Sequence, residues 1–173
     1  MYSLTPAEIE IFERGATDPN IFMDYWFRKP GQEHGWMFDA NFEEAGKWQE
    51  TMCMASQPFM VAICGIATGK TLGVGMGGAY HCAMSQHFKF LNVGPTAWQS
   101  NLMFRGILEQ AEDTPFENLI AGKPSRPWPS IRIEFMVDGI KHSSLMEFMS
   151  LGEKGTADHI FSYRGDWINI DEA

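Results

Sequence analysis

The chain has 173 residues, 45% of them hydrophobic and 20% charged, which suits one packed domain with at most a small appendage and excludes wholesale disorder. Thirteen Lys and Arg against 22 Asp and Glu give a formal charge of −9, which excludes a surface dedicated to coating nucleic acid but leaves room for a local basic groove. Three cysteines, Cys53, Cys64 and Cys82, are too few for a disulfide framework and fit a reduced, intracellular setting.

In chain order, Thr5-Pro6-Ala7-Glu8 predicts a helix start. Thr5 caps, Pro6 suits the first helical position, Glu8 completes a capping box, and the helix ends near Gly15. This opening lacks the basic and then apolar pattern of a secretory signal. Residues 20–42 are rich in aromatics but broken by Pro30, Gly31 and Gly35, and read as an irregular packed segment with a short helix. Residues 1–35 are thus an N-terminal helix and aromatic segment, and 36–173 form the main domain.

Residues 43–56 fit a helix that Pro58 ends, and 59–64 have the length and apolarity of a buried strand. A turn over 65–71 leads into a glycine-spaced helix reaching about Gln86, then a strand over 88–93 closed by Gly94-Pro95-Thr96. Residues 98–110 have helical spacing through Leu102, Met103 and Ile107, and 121–130, with three prolines, read as a loop. Ile131, Ile133, Phe135 and Val137 alternate with Arg132, Glu134 and Met136, and Asp138-Gly139 signals a type I′ turn, so a hairpin returns over 140–149. The apolar run 167–170 reads as another short buried strand leading into Asp171-Glu172-Ala173. Strand, turn, helix and strand in this order predict an α/β domain with a mostly parallel sheet flanked by helices. Two charge-free runs, 51–69 and 71–88, are too rich in Ser, Gln, Pro, Gly and His to be membrane spans of about 20 apolar residues.

The strongest chemical signal is Gly65-Ile66-Ala67-Thr68-Gly69-Lys70-Thr71 between a strand and a helix. Small residues let successive backbone N–H groups turn toward phosphate oxygens, and the helix N-terminus adds its positive dipole end. Lys70 would reach the β- and γ-phosphates, and the Thr71 hydroxyl would join the shell of a Mg²⁺ ion. The strict phosphate-loop pattern places glycine five residues before Gly69, where this chain has Cys64. The second signal is the acid pair at the end of the last strand, the edge at which open α/β sheets bind ligands. Asp171 would hold the Mg²⁺ shell and Glu172 would polarise an attacking water.

Trp48-Gln49, the loop from Gly65 to Thr71, Val93-Gly94-Pro95-Thr96, the hairpin, Tyr163-Arg164-Gly165-Asp166 and the run Ile168 to Ala173 come in an order that resembles the ATPase domain of phage terminase large subunits, over roughly residues 36–173. The resemblance implies a P-loop ATPase that pumps viral DNA into capsids, with Mg²⁺ and ATP as its cofactors. It puts Lys70 and Thr71 on Walker A, Asp171 and Glu172 on Walker B, and Gln49 on the adenine edge. The same likeness makes Arg164 a candidate trans-acting arginine finger. It also implies double-stranded DNA, a portal protein and a small terminase subunit as partners, a homo-oligomeric ring, and work at the procapsid in the host cytoplasm. The family's shortened loop, with three residues between Gly65 and Gly69, accommodates Cys64. The arginine that many terminases carry after the first loop glycine is replaced here by Ile66.

In that family the strand after Walker B lies between the Walker A and Walker B strands. The sheet is therefore expected to be incomplete over these 173 residues, and the isolated chain to have negligible ATPase activity. Two other readings stand beside this one: a superfamily 2 helicase-type ATPase, which shares Gly-Lys-Thr, Pro-Thr and Asp-Glu-Ala, and a nucleotide-binding module without turnover. His81, Cys82 and His87 match no structural zinc spacing. Neither His142-Ser143-Ser144 nor Asp158-His159 has a nucleophile elbow or a partner.

Overall fold

A computed structural model describes residues 1–35, 47–54, 60–61, 69–152, 158, 160 and 162–171. Its strands are β1 (Tyr2–Ser3), β2 (Lys89–Gly94), β3 (Ile120–Gly122), β4 (Ser130–Val137), β5 (Ile140–Ser150) and β6 (Trp167–Ile170). Its α-helices are α1 (Pro6–Gly15), α2 (Pro19–Trp26), α3 (Lys47–Cys53), α4 (Lys70–Met84) and α5 (Ala97–Ala111), with a 3₁₀ turn at Pro115–Leu119. The strands form one mixed sheet in the order β1-β4-β5-β2-β6, with β3 against β4. The pairs β1–β4, β2–β5 and β2–β6 are parallel, and β3–β4 and β4–β5 antiparallel. The chain is thus an α/β protein whose sheet is mixed and mostly parallel.

Local chemistry accounts for these elements. The Thr5 hydroxyl accepts from the Glu8 amide at 3.3 Å while the Glu8 carboxylate accepts from the Thr5 amide at 2.7 Å, the capping box expected from sequence. Asp138 and Gly139 both have positive φ, 50° and 79°, as a type I′ turn requires, and the hairpin they close is built into the sheet, with β5 between β4 and β2. Thr96 caps α5 by accepting from the Gln99 amide.

One face of the sheet carries Phe90, Phe135 and Phe148, and the helices pack on it. Phe12 of α1 meets Phe135 at 5.3 Å, and Phe104 of α5 meets Phe148 at 5.5 Å between ring centres. Phe22, Met23, Trp26 and Phe27 of the aromatic N-terminal segment belong to the same buried cluster. Helix α4 crosses close above the strands because its glycines remove the bulk that would hold it away. A Cβ on Gly78 would lie 2.6 Å from the Phe90 ring, and one on Gly75 would lie 2.9 Å from Met103 of α5. The opposite face buries Leu91, Val93 and Met149 beneath Trp128, Ile160 and Tyr163.

Three expectations change. Leu102 is exposed, because the inward stripe of α5 runs through Ser100, Met103, Phe104, Ile107 and Ala111 and leaves Leu102 about one residue off it. Strand β6 forms where expected but is not buried: Ile168 and Ile170 are 45% and 60% exposed, since β6 is the last strand of the sheet among the described residues. The strand expected over 59–64 is not seen at Met60 and Val61, which lie outside any strand and are exposed, and its other positions fall outside the described residues. No helix among the described residues is long and apolar enough to cross a membrane.

Candidate nucleotide site

The sheet brings together two residues that lie one hundred positions apart in the chain. Strand β6 pairs in register with β2, Phe90 opposite Trp167 and Val93 opposite Ile170, and the Asp171 amide extends the ladder by donating to the Val93 carbonyl at 3.0 Å. Side chains alternate along a strand, so Asp171 shares the helix-facing side with Trp167 and Asn169. Above it, α4 runs back over the strands, with Gly77 3.4 Å (from an added Cβ) over Trp167 and the first turn over the strand end. There the Thr71 hydroxyl donates to the Asp171 carboxylate at 2.9 Å.

Gly69 begins α4 at φ 73°, a left-handed conformation that glycine adopts without strain, and no side chain among the described residues caps the helix. The first-turn amides therefore point outward with the positive end of a 15-residue helix behind them. Lys70 and Thr71 are half-buried at this terminus. Oxygen donors from a hydroxyl and a carboxylate are of the kind that could hold a hard divalent cation, and the helix N-terminus beside them is of the kind that favours an anion. Among the described residues no group of three or more His, Cys, Asp or Glu is placed to hold a metal ion by itself.

Gln49 lies beside the same helix terminus. Its Cγ sits 3.0 Å from where a Cβ on Gly73 would be, so this glycine leaves the space that the glutamine occupies. The side chain is fully buried, and neither its amide oxygen nor its nitrogen has a hydrogen-bond partner among the described residues. Helix α3, which carries it, is tied to α4 by His81, whose Nε2 meets the Cys53 carbonyl at 2.6 Å. Burial holds the His81 pKa below its ordinary value against the opposing pull of that carbonyl, so the ring is neutral and donates.

Arg164 is not brought to this site. Asp166, two residues on, accepts from the Lys89 amide at 2.9 Å and donates its own amide to the Lys89 carbonyl at 3.0 Å, which fixes the Arg164 loop at the N-terminal end of β2. At about 3.3 Å per residue, the four residues of β6 separate Arg164 from Asp171 by at least about 13 Å. Arg164 is exposed there. Gly65, Ile66, Ala67, Thr68 and Glu172 lie outside the described residues.

Sequence reasoning does not single out four polar residues that the fold buries: Asn92, Ser100, Ser150 and the half-buried Asn169 that pairs with Asn92. A signal for the asparagines exists, since a single Asn within each of the apolar runs Lys89–Gly94 and Trp167–Ile170 goes against strand preference. His81 and His142 each meet a backbone carbonyl through Nε2, His142 at 2.8 Å from that of Cys82. No family model, no curated protein and no solved structure matches this chain.

Proposed function

We propose that this chain is the P-loop ATPase portion of a viral DNA-packaging terminase. The observation that carries the nucleotide reading is the Thr71–Asp171 hydrogen bond at the uncapped start of α4. A hydroxyl two residues after the loop's last glycine, meeting a carboxylate at the end of a neighbouring strand, is the pairing a Mg²⁺–nucleotide site needs. An arbitrary glycine turn and an arbitrary acid at a strand end have no reason to meet.

In this reading Lys70 and the first-turn amides of α4 hold the β- and γ-phosphates, with Gly65 to Gly69 supplying further backbone donors. Thr71 and Asp171 would hold Mg²⁺, which, when bound, supplies neutralisation of charge on the transferring phosphoryl group. Glu172, directly after Asp171, would accept a proton from the attacking water and orient it in line with the leaving oxygen. Buried Gln49 has a donor and an acceptor with no partner among the described residues, which the N6 and N7 atoms of adenine would satisfy together. Arg164, remote from Asp171 within one chain, would reach a γ-phosphate only from a neighbouring subunit of a ring. DNA, portal and small-subunit partners, and location at a procapsid, rest on the terminase resemblance alone.

Displacement of a fluorescent adenine nucleotide by unlabelled Mg²⁺-ATP and Mg²⁺-GTP tests the site. ATP is expected to compete at least about tenfold better than GTP, because guanine presents the acceptor O6 where adenine presents the N6 donor, which leaves the Gln49 amide oxygen unmet. Failure of the fluorescent nucleotide to bind folded protein would overturn the proposal, and equal competition would remove Gln49 from it.

A further inference from the structure

We infer that Asn92 and Asn169 form an amide clamp that positions Asp171 against Thr71, a role that rests on the nucleotide reading above. The two residues are direct register partners on β2 and β6, and the Asn169 amide donates to the Asn92 carbonyl oxygen at 2.7 Å. Both side chains face the helices, one pleat before Asp171.

The N-terminal half of β6 is held by bulk. Trp167 packs edge-on to Phe90 and His81, with ring centres 5.7 and 5.3 Å apart, and lies under Gly77. Among the described residues the C-terminal half has no such anchor: Ile168 and Ile170 face the other side and are exposed. Between Trp167 and Asp171, the side chain of Asn169 ties the strand to β2 on the helix side. This tie is not the most stable choice for the position. Asn92 is fully buried and its Nδ2 has no partner among the described residues, a cost that an apolar pair would avoid. A directional bond retained at such a cost is best understood as fixing geometry, as buried polar pairs do when they set register. Here the geometry downstream is the 2.9 Å approach of Thr71 to Asp171.

The clamp acts through Asp171, so it should affect the magnesium-dependent part of nucleotide binding and spare the part that depends on Lys70 and the helix terminus. The test measures ADP affinity with and without Mg²⁺ in wild type, Asn169→Ala, Asp171→Asn and the Asn169→Ala/Asp171→Asn double variant. Asn169→Ala is expected to cut the gain from Mg²⁺ by about tenfold, to leave metal-free affinity within about twofold, and to add nothing once Asp171 is Asn. Asn169→Val, which keeps strand preference, serves if the alanine variant does not fold. A merely structural pair would weaken both affinities alike and add to Asp171→Asn, and either result overturns the clamp. The second readout needs no nucleotide: the methyl–methyl cross-peak between Val93 and Ile170 in NMR spectra should weaken in Asn169→Ala while the cross-peaks of Phe90 with Trp167 persist. An unchanged Val93–Ile170 cross-peak overturns the clamp. Wild type that binds no nucleotide, together with a weakened Val93–Ile170 cross-peak in Asn169→Ala, overturns the nucleotide reading and leaves the clamp standing.

Discussion

Thr71 at the start of α4 donates its hydroxyl to Asp171 at the end of β6, 2.9 Å away, and so joins the two chain segments in which the sequence concentrates its chemistry. If this pair is the metal end of a nucleotide site, the hydroxyl is needed and the methyl is not. Thr71→Val should cost about tenfold in Mg²⁺-dependent ATP affinity, the scale of one charge-assisted hydrogen bond, and Thr71→Ser should retain it. Calorimetric titrations of the two variants check this, and equal weakening in both would assign Thr71 a packing role.

The close crossing of α4 over β2 makes a second expectation. Gly78→Ala gains helix preference of about 1 kcal/mol but drives a Cβ to 2.6 Å from the fully buried Phe90 ring. Overpacking of this kind costs about 1–3 kcal/mol, so the variant should lose stability on balance. Urea denaturation measures it. A variant more stable than wild type would mean that α4 sits farther from the sheet than described.

Stability should fall with mild acid. His142, stacked on Phe135 with ring centres 4.3 Å apart, has its pKa held below the ordinary 6.5 by burial, with the Cys82 carbonyl pulling it up and His87 pushing it down. His81 is lowered by burial as well. The unfolded chain therefore takes up protons where the folded one does not. The contribution of these rings is full above pH 6.5 and is lost as pH falls below 6.5 toward the lowered folded values. The urea midpoint should drop between about pH 7 and pH 5.5, and His142→Phe should flatten that drop even if it lowers the midpoint throughout. Parallel pH curves for variant and wild type would contradict the assignment.

Arg164 sits at the opposite end of β6 from Asp171. Arg164→Ala should therefore leave the ATP affinity of the monomeric chain unchanged within about twofold, since charges more than a Debye length apart, about 8–10 Å, are largely screened. A tenfold drop in a monomer would mean that the arginine acts within its own chain.

The sequence made most of the fold legible where local chemistry decides it: the Thr5–Glu8 capping box, the Asp138-Gly139 turn, and the alternation of Ile131, Ile133 and Phe135. It also marked Thr71 and Asp171 as partners, because strand-to-helix and strand-to-acid junctions are readable as patterns. What it hid depends on position in the sheet. Ile168 and Ile170 look like core residues until β6 proves to be the last described strand. The glycines of α4 read as a costly feature of an expected helix, and the neighbours that take the space they leave, Phe90, Met103 and Gln49, come from distant segments. The hairpin's integration into the sheet, with β5 parallel to β2, follows from pairings between segments about 55 residues apart that no local pattern encodes.

The most direct measurement of the central claim is a thermal unfolding titration with Mg²⁺-ATP on wild type and Lys70→Ala. Lys70 stands at the uncapped start of α4, where a bound phosphate would need it. At about 100 times the dissociation constant, binding to the folded state alone adds about 2.7 kcal/mol. For a domain of this size that raises Tm by about 5–10 °C, at roughly 2–4 °C per kcal/mol. The account predicts this shift in wild type and its absence in Lys70→Ala, with both proteins melting alike when no nucleotide is present. A cooperatively folded wild type whose Tm does not move with millimolar Mg²⁺-ATP would contradict it.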